Sequence, residues 1–148
     1  MASELSLLDN LKREFDMGEQ DPKSYSPLVL AYIGDCVYEL IVRTVLVSKR
    51  NCQVQKLHRE ATWFVKAATQ AALIDTLMPM LTEDEQDIYR RGKNAKSHTA
   101  PKNADIGEYH RATGFEALIG YLFLSDNMDR IVELVKTGML DEFNRNAE

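Results

Sequence analysis

Two stretches of this 148-residue chain are apolar at almost every helical angle, and each has an acid set inside it. LVLAYIGDCVYELIV, residues 28–42, carries Asp35 and then Glu39; ATGFEALIGYLFL, residues 112–124, carries Glu116 alone. Neither stretch alternates with the period of two that a half-buried strand requires. A helix that is apolar nearly all round belongs in the middle of a core. The expected fold class is therefore all-α, a single domain over 1–148 with two buried central helices.

The rest of the chain reads as helices around that pair. Leu5, Leu8, Leu11 and Phe15 mark a short amphipathic helix, followed by a loop from Gly18 to Tyr25. Ser26 and Pro27 form an N-cap and a first helical position for a helix running to about Ser48. A third helix is expected over about 52–78, with Val54, Leu57, Ala61, Phe64, Ala68 and Ala71 as its inner stripe and Pro79 after its end. Thr82 and Glu85 form a capping box that opens a short helix to about Arg91. A polar connection, residues 92–104, leads to a helix over about 105–124. A last helix covers about 127–137, with Met128, Ile131, Val132 and Val135 at helical spacing and Gly138 as its C′ residue.

Composition removes several classes. The chain is 45% hydrophobic and 28% charged, which excludes a disordered or collagenous protein. Cys36 and Cys52 are too few for a disulfide scaffold, and a reduced cytoplasmic setting is expected. No apolar run reaches the roughly 18 uncharged residues of a membrane span. The N-terminus has early acids and no unbroken apolar core, unlike a signal peptide. There is no glycine-rich phosphate loop, no CxxC pair and no Glu-x-x-His pair, which argues against P-loop, zinc and di-iron chemistry.

Asp35 and Glu116 remain as the anomalies. A carboxylate in an apolar helix is costly unless it is paired, hydrogen-bonded or bound to a metal. Each acid on its own is consistent with a satisfied structural role. Two isolated acids on two central helices also suit a hard divalent cation, and magnesium uses few carboxylates and keeps several waters. Gly34 beside Asp35 lowers helix stability by about 1 kcal/mol against alanine. It suits the close approach of another backbone or of a ligand. Glu39 precedes Arg43 by four residues, the favourable order for an intrahelical ion pair, and is read first as that partner.

Charge is unevenly spread. The net charge is −5, yet RRGKNAKSHTAPK, residues 90–102, holds five bases and no acid. Arg90, Arg91, Lys93, Lys96 and Lys102 form a local footprint for phosphate, with Asn94, Ser97 and Asn103 as neutral donors. A solvated loop that happens to be basic is the alternative. No aromatic residue interleaves the bases, so recognition of a duplex by backbone and shape fits better than stacking on single strands.

These same residues carry a family resemblance. YIGDCVYEL, residues 32–40, resembles the signature helix of ribonuclease III catalytic domains. ATGFEALIGYLFL resembles the family's second acidic helix. With RRGKNAKSHTAPKNAD, residues 90–105, the pattern is most similar to the Mini-ribonuclease III branch. The resemblance implies a homodimeric, all-helical endoribonuclease that cuts double-stranded RNA with metal-activated water, leaving 5′-phosphate and 3′-hydroxyl ends. It implies Mg2+ as cofactor, with Mn2+ as a substitute, and Asp35 and Glu116 as catalytic metal ligands. It further implies maturation of precursor large-subunit (23S) ribosomal RNA, with a ribosomal protein as a possible partner on the substrate. Larger family members carry further acids where this chain has Ala31 and Thr113, so fewer protein ligands and more coordinating water are expected. The chain's length also leaves no room for a C-terminal double-stranded-RNA-binding domain, so the nuclease domain is expected to supply the affinity itself.

Two other classes compete. A helical RNA- or ribosome-binding module without catalysis would use the basic segment alone. A purely structural interaction protein would bind no RNA.

Overall fold

The computed structural model describes residues 4–96, 102 and 105–147, and all regular structure among them is helical. Seven α-helices follow one another: α1 (Leu7–Glu14), α2 (Pro27–Lys49), α3 (Val54–Val65), α4 (Ala67–Leu77), α5 (Glu83–Lys93), α6 (Ile106–Leu124) and α7 (Met128–Ala147). Short 3-10 turns at Pro22–Ser24 and Met78–Met80 complete the path.

Local chemistry explains most helix starts. Ser6 and Asp9 form a capping box on α1, and Thr82 and Glu85 form the expected one on α5. Asp105 caps α6 by accepting the Glu108 amide at 3.0 Å. Pro27 occupies the first turn of α2, although the Ser26 side chain makes no capping bond.

The central element is α6. It packs most extensively against α2, then α5 and α4, with α7 closing over α4. Phe115, Leu118 and Ile119 on α6 are fully buried with Tyr38 and Val42 from α2, Ile74 and Leu77 from α4, and Ile131 and Leu134 from α7. Tyr38 and Phe115 meet edge to face, ring centroids 5.1 Å apart.

Two glycines let α2 and α6 approach this closely. A Cβ on Gly34 would lie 1.7 Å from the carbonyl oxygen of Glu116, and one on Gly120 would lie 2.0 Å from that of Leu30. The close backbone approach expected at Gly34 is therefore an approach to α6. Gly92 and Gly114 play the same part between α5 and α6. A Cβ on Gly92 would fall 2.9 Å from the Gly114 Cα, and one on Gly114 would fall 2.7 Å from the Tyr89 ring.

Far from this contact, Glu85 joins α5 to α7. Buried Glu85 accepts from Arg130 Nη2 and Nε at 2.8 and 2.9 Å, and Arg130 also reaches the Met80 carbonyl at 2.8 Å. Arg130 and the Thr82 cap hold the Glu85 carboxyl below its usual value, against the opposing effect of burial.

Four expectations are corrected. The helix expected over 52–78 is two helices, broken at Lys66, whose ψ of 153° is extended. Val54 from its expected inner stripe is exposed, whereas Ala61, Phe64 and Ala71 are buried as expected. Gly138 does not end the last helix: α7 continues to Ala147, and Gly138 sits inside it, where a Cβ would meet Leu73. Met128 and Val132 face outward while Ile131 and Val135 face in. Finally, α2 is not buried all round. Its outer side leaves Val29, Tyr32, Asp35, Leu40 and Val47 exposed, because the neighbouring helices α6, α3 and α5 cover its other sides.

Gly120→Ala tests the glycine contact by its sign. In an isolated helix alanine is better by about 1 kcal/mol. Here it is expected to lower the unfolding free energy by about 3 kcal/mol, at the upper end of overpacking. Urea unfolding reads the difference.

Candidate functional site

The contact between α2 and α6 fixes where the two isolated acids go. Gly34 lies against the Glu116 backbone, so Asp35 and Glu116 are neighbours across the helix pair. Their side chains are within hydrogen-bonding reach of each other. Asp35 is exposed at the mouth of a shallow groove along α2, lined by Tyr32, Ile33, Cys36, Glu39, Leu40 and Arg43. Glu116 is half-buried behind it.

This placement makes Glu116 an unusual acid. Its carboxyl is pushed up to about 9, first by burial, then by the hydrogen bond and charge of Asp35. A hydrogen bond from Gln70 works in the opposite direction. At neutral pH Glu116 therefore keeps its proton, which a divalent cation would displace. This electrostatic situation, with oxygen donors and an open groove beside them, fits a hard divalent cation. Among the described residues no group of three or more His, Cys, Asp or Glu side chains is poised to hold a metal, so a cation there would rely on these two carboxylates and on water.

Glu39 is half-buried and accepts from Arg43 Nη2 at 2.8 Å, the intrahelical pair expected from spacing. Ala31 is buried, and Thr113 is also buried with its hydroxyl donating to the Tyr109 carbonyl at 3.0 Å, so neither adds an acid.

Gln70, on the first turn of α4, was not singled out by periodicity or composition. It is 2% exposed, and Nε2 donates to the Val65 carbonyl at 2.8 Å. The next carbonyl back, Phe64, accepts from the Tyr38 hydroxyl at 2.7 Å. Two side chains thus satisfy carbonyls at the end of α3 where the helix breaks. The one available signal was a long amide in the otherwise small and apolar run AATQAAL.

The basic residues divide. Arg90 is exposed beside Asp87, 3.7 Å away. Arg91 donates to the carbonyls of Lys23 and Tyr25, both at 3.3 Å, and so ties down the segment before α2. Lys93, Asn94, Lys96 and Lys102 are exposed. Gly92 packs on Gly114 and Ala117, which brings the basic end of α5 to the level of Glu116 on α6. Ser97 and Asn103 lie outside the described residues.

The Glu116 proton sets a pH dependence. The folded carboxyl holds its proton up to about pH 9, while the unfolded one releases it near its ordinary value of 4.5. The folded state binds the extra proton in between, so this group's effect on stability worsens as pH rises from about 4.5 to 9. Glu116→Gln, compared with the parent by urea unfolding without divalent cations, is expected to gain more stability at pH 8 than at pH 5.

Comparison with known proteins places this geometry in context. A family model described as "Ribonuclease III domain" matches residues 28–127. A protein named Mini-ribonuclease 3 from Symbiobacterium thermophilum is 50% identical over 116 residues, 78% of this chain and 89% of that one. Another of that name, from Clostridium tetani, is 46% identical over 129 residues, 84% of this chain and 85% of that one. A crystal structure of a protein from Fusobacterium nucleatum superimposes with a TM-score of 0.75 at 27% identity, covering 84% of this chain and 99% of that one.

Proposed function

The chain belongs to the ribonuclease III family and is by that membership an endoribonuclease acting on RNA, and we propose that it cuts double-stranded RNA using a divalent cation held by Asp35 and Glu116. The observation that carries this reading is the pairing of two otherwise isolated carboxyls across the contact of α2 with α6. Magnesium, with manganese as its substitute, would supply Lewis-acid activation of the phosphodiester and a more acidic water. Asp35 and Glu116 would hold the cation as ionised carboxylates, Glu116 releasing its proton to do so. Water adds to phosphorus, the bond to the 3′ oxygen breaks, and that oxygen leaves as a hydroxyl, so the ends are 5′-phosphate and 3′-hydroxyl.

Contacts to backbone phosphates are assigned to Lys93, Asn94, Lys96 and Lys102, which are exposed at and after the end of α5. Arg90 shares its charge with Asp87, and Arg91 acts by anchoring the preceding segment. Asn103 stays in the assignment on sequence grounds alone.

A homodimer accounts for cutting both strands, since two sites related by a two-fold axis can each face one strand. The apolar outer side of α2, with Tyr32, Leu40 and Val47 exposed, is the surface we assign to it. Precursor 23S ribosomal RNA is the assigned substrate, with or without a ribosomal protein presenting it, on the strength of the sequence resemblance. Among the described residues no helix is long and apolar enough to cross a membrane.

A labelled RNA duplex with a single-stranded control tests the reading. Duplex-only cleavage that needs Mg2+ or Mn2+, and that Asp35→Asn and Glu116→Gln each reduce at least a thousandfold with folding intact, is the expected result. Duplex binding with no cleavage under either cation would instead favour a non-catalytic RNA module. Changing both Lys93 and Lys96 to Glu is expected to weaken duplex binding about tenfold or more and to lower the slope of log affinity against log salt by about 2.

A further inference from the structure

The Glu116 carboxyl has a second polar neighbour, and it is not ionisable. Gln70 reaches the site from α4, the helix that restarts the chain after the break at Lys66. Its side chain is enclosed, at 2% exposure, so its amide has little freedom to choose partners. A primary amide has two N–H donors and one acceptor oxygen. One donor is committed to the Val65 carbonyl at 2.8 Å. That bond fixes which end of the amide is the nitrogen, and the Glu116 carboxyl lies within reach of that same donor end. Oε1 is left buried with no hydrogen-bond partner. An unmatched buried acceptor is costly to keep, and an apolar side chain of the same length would avoid it. The amide is explained if its donors matter more than its oxygen.

With only two acids facing each other and no third within reach among the described residues, the orientation of each decides whether a cation can be held. Asp35 is exposed on the rim and can adjust. Glu116 is half-buried behind it, and Asp35 repels its ionised form. We propose that Gln70 is a positioning residue of the cation site, its amide anchored on the Val65 carbonyl and holding the ionised carboxylate of Glu116 toward Asp35. The break between α3 and α4 then has a purpose in the site. It frees the Val65 carbonyl to anchor the amide, while the Tyr38 hydroxyl satisfies Phe64 beside it. Gln70 touches neither RNA nor cation in this account. It acts through Glu116, and the proposal rests on the reading of Asp35 and Glu116 as cation ligands.

The test is Mn2+ binding to the full chain without RNA, read by electron paramagnetic resonance of free Mn2+. The wild type is compared with Gln70→Met, which keeps the length and loses both donors, and with Gln70→Asn, which keeps the amide but is too short to span Val65 and Glu116. Both variants are expected to raise the Mn2+ dissociation constant 10- to 100-fold and to move the pH midpoint of binding upward. Both are expected to leave the KM for duplex RNA within about twofold while kcat at fixed Mg2+ falls. If either folded variant binds Mn2+ as the wild type does, with an unmoved pH midpoint, Gln70 is merely structural and the proposal is overturned. Glu116→Gln is the control: if it too binds Mn2+ like the wild type, the cation-ligand reading itself fails. Should neither Gln70 variant fold, the side-chain amide resonances of Gln70 in the wild type decide the matter. They are expected to shift on Mg2+ addition in step with Glu116, and resonances that stay still would overturn the proposal.

Discussion

The distance between α2 and α6 governs this molecule. Two residues without side chains, Gly34 and Gly120, sit where each helix meets a backbone carbonyl of the other. Any Cβ there would overlap an oxygen, so no other residue permits this approach. The consequence is chemical as well as structural. Helices at ordinary separation would hold Asp35 and Glu116 apart. Brought together, they form a pair in which burial and the neighbouring Asp35 push the Glu116 carboxyl up. The glycines weaken both helices individually, and the burial of Tyr38, Phe115 and Leu118 around the contact offsets that loss.

The supports of the site come from three further helices, each by a different device. α5 reaches α6 through Gly92 and Gly114, which brings its end to the level of Glu116 on α6. α3 ends in carbonyls that Tyr38 and Gln70 satisfy. α4 then carries Gln70 to Glu116. α7 closes the far side of the core and is tied to α5 by Arg130 and Glu85. The half-buried acid is thus the more constrained part of the site, and the exposed one the adjustable part.

Much of this was legible in the sequence. Acids inside apolar stretches marked Asp35 and Glu116, a glycine in a helix marked the close approach, and an i,i+4 spacing marked the Glu39–Arg43 pair. Capping boxes and proline placed the starts of α2 and α5. What the sequence hid was tertiary. Lys66 is neither glycine nor proline, and its extended backbone is sustained by side chains distant in sequence. Gly138 looks like a helix stop and instead makes room for Leu73. An all-round apolar pattern on α2 suggested burial, but it counts faces that a single copy of the chain leaves open. Arg91 looked like its basic neighbours, and only the fold shows it turned back onto Lys23 and Tyr25. Gln70 belonged to no motif, because its role depends on an acid 46 positions along the chain.

The claim on which everything else rests is that the approach of α2 to α6 builds one cation site from Asp35 and Glu116. A crystal structure of the protein grown with Mn2+, with anomalous scattering used to find the metal, tests it most directly. The account predicts a single strong peak between the two side chains, with an oxygen of each at about 2.1 Å, close to octahedral hard-cation geometry, and water at the remaining positions. A peak bound by neither carboxylate, or carboxyls still turned on each other with the metal elsewhere on the surface, would contradict it.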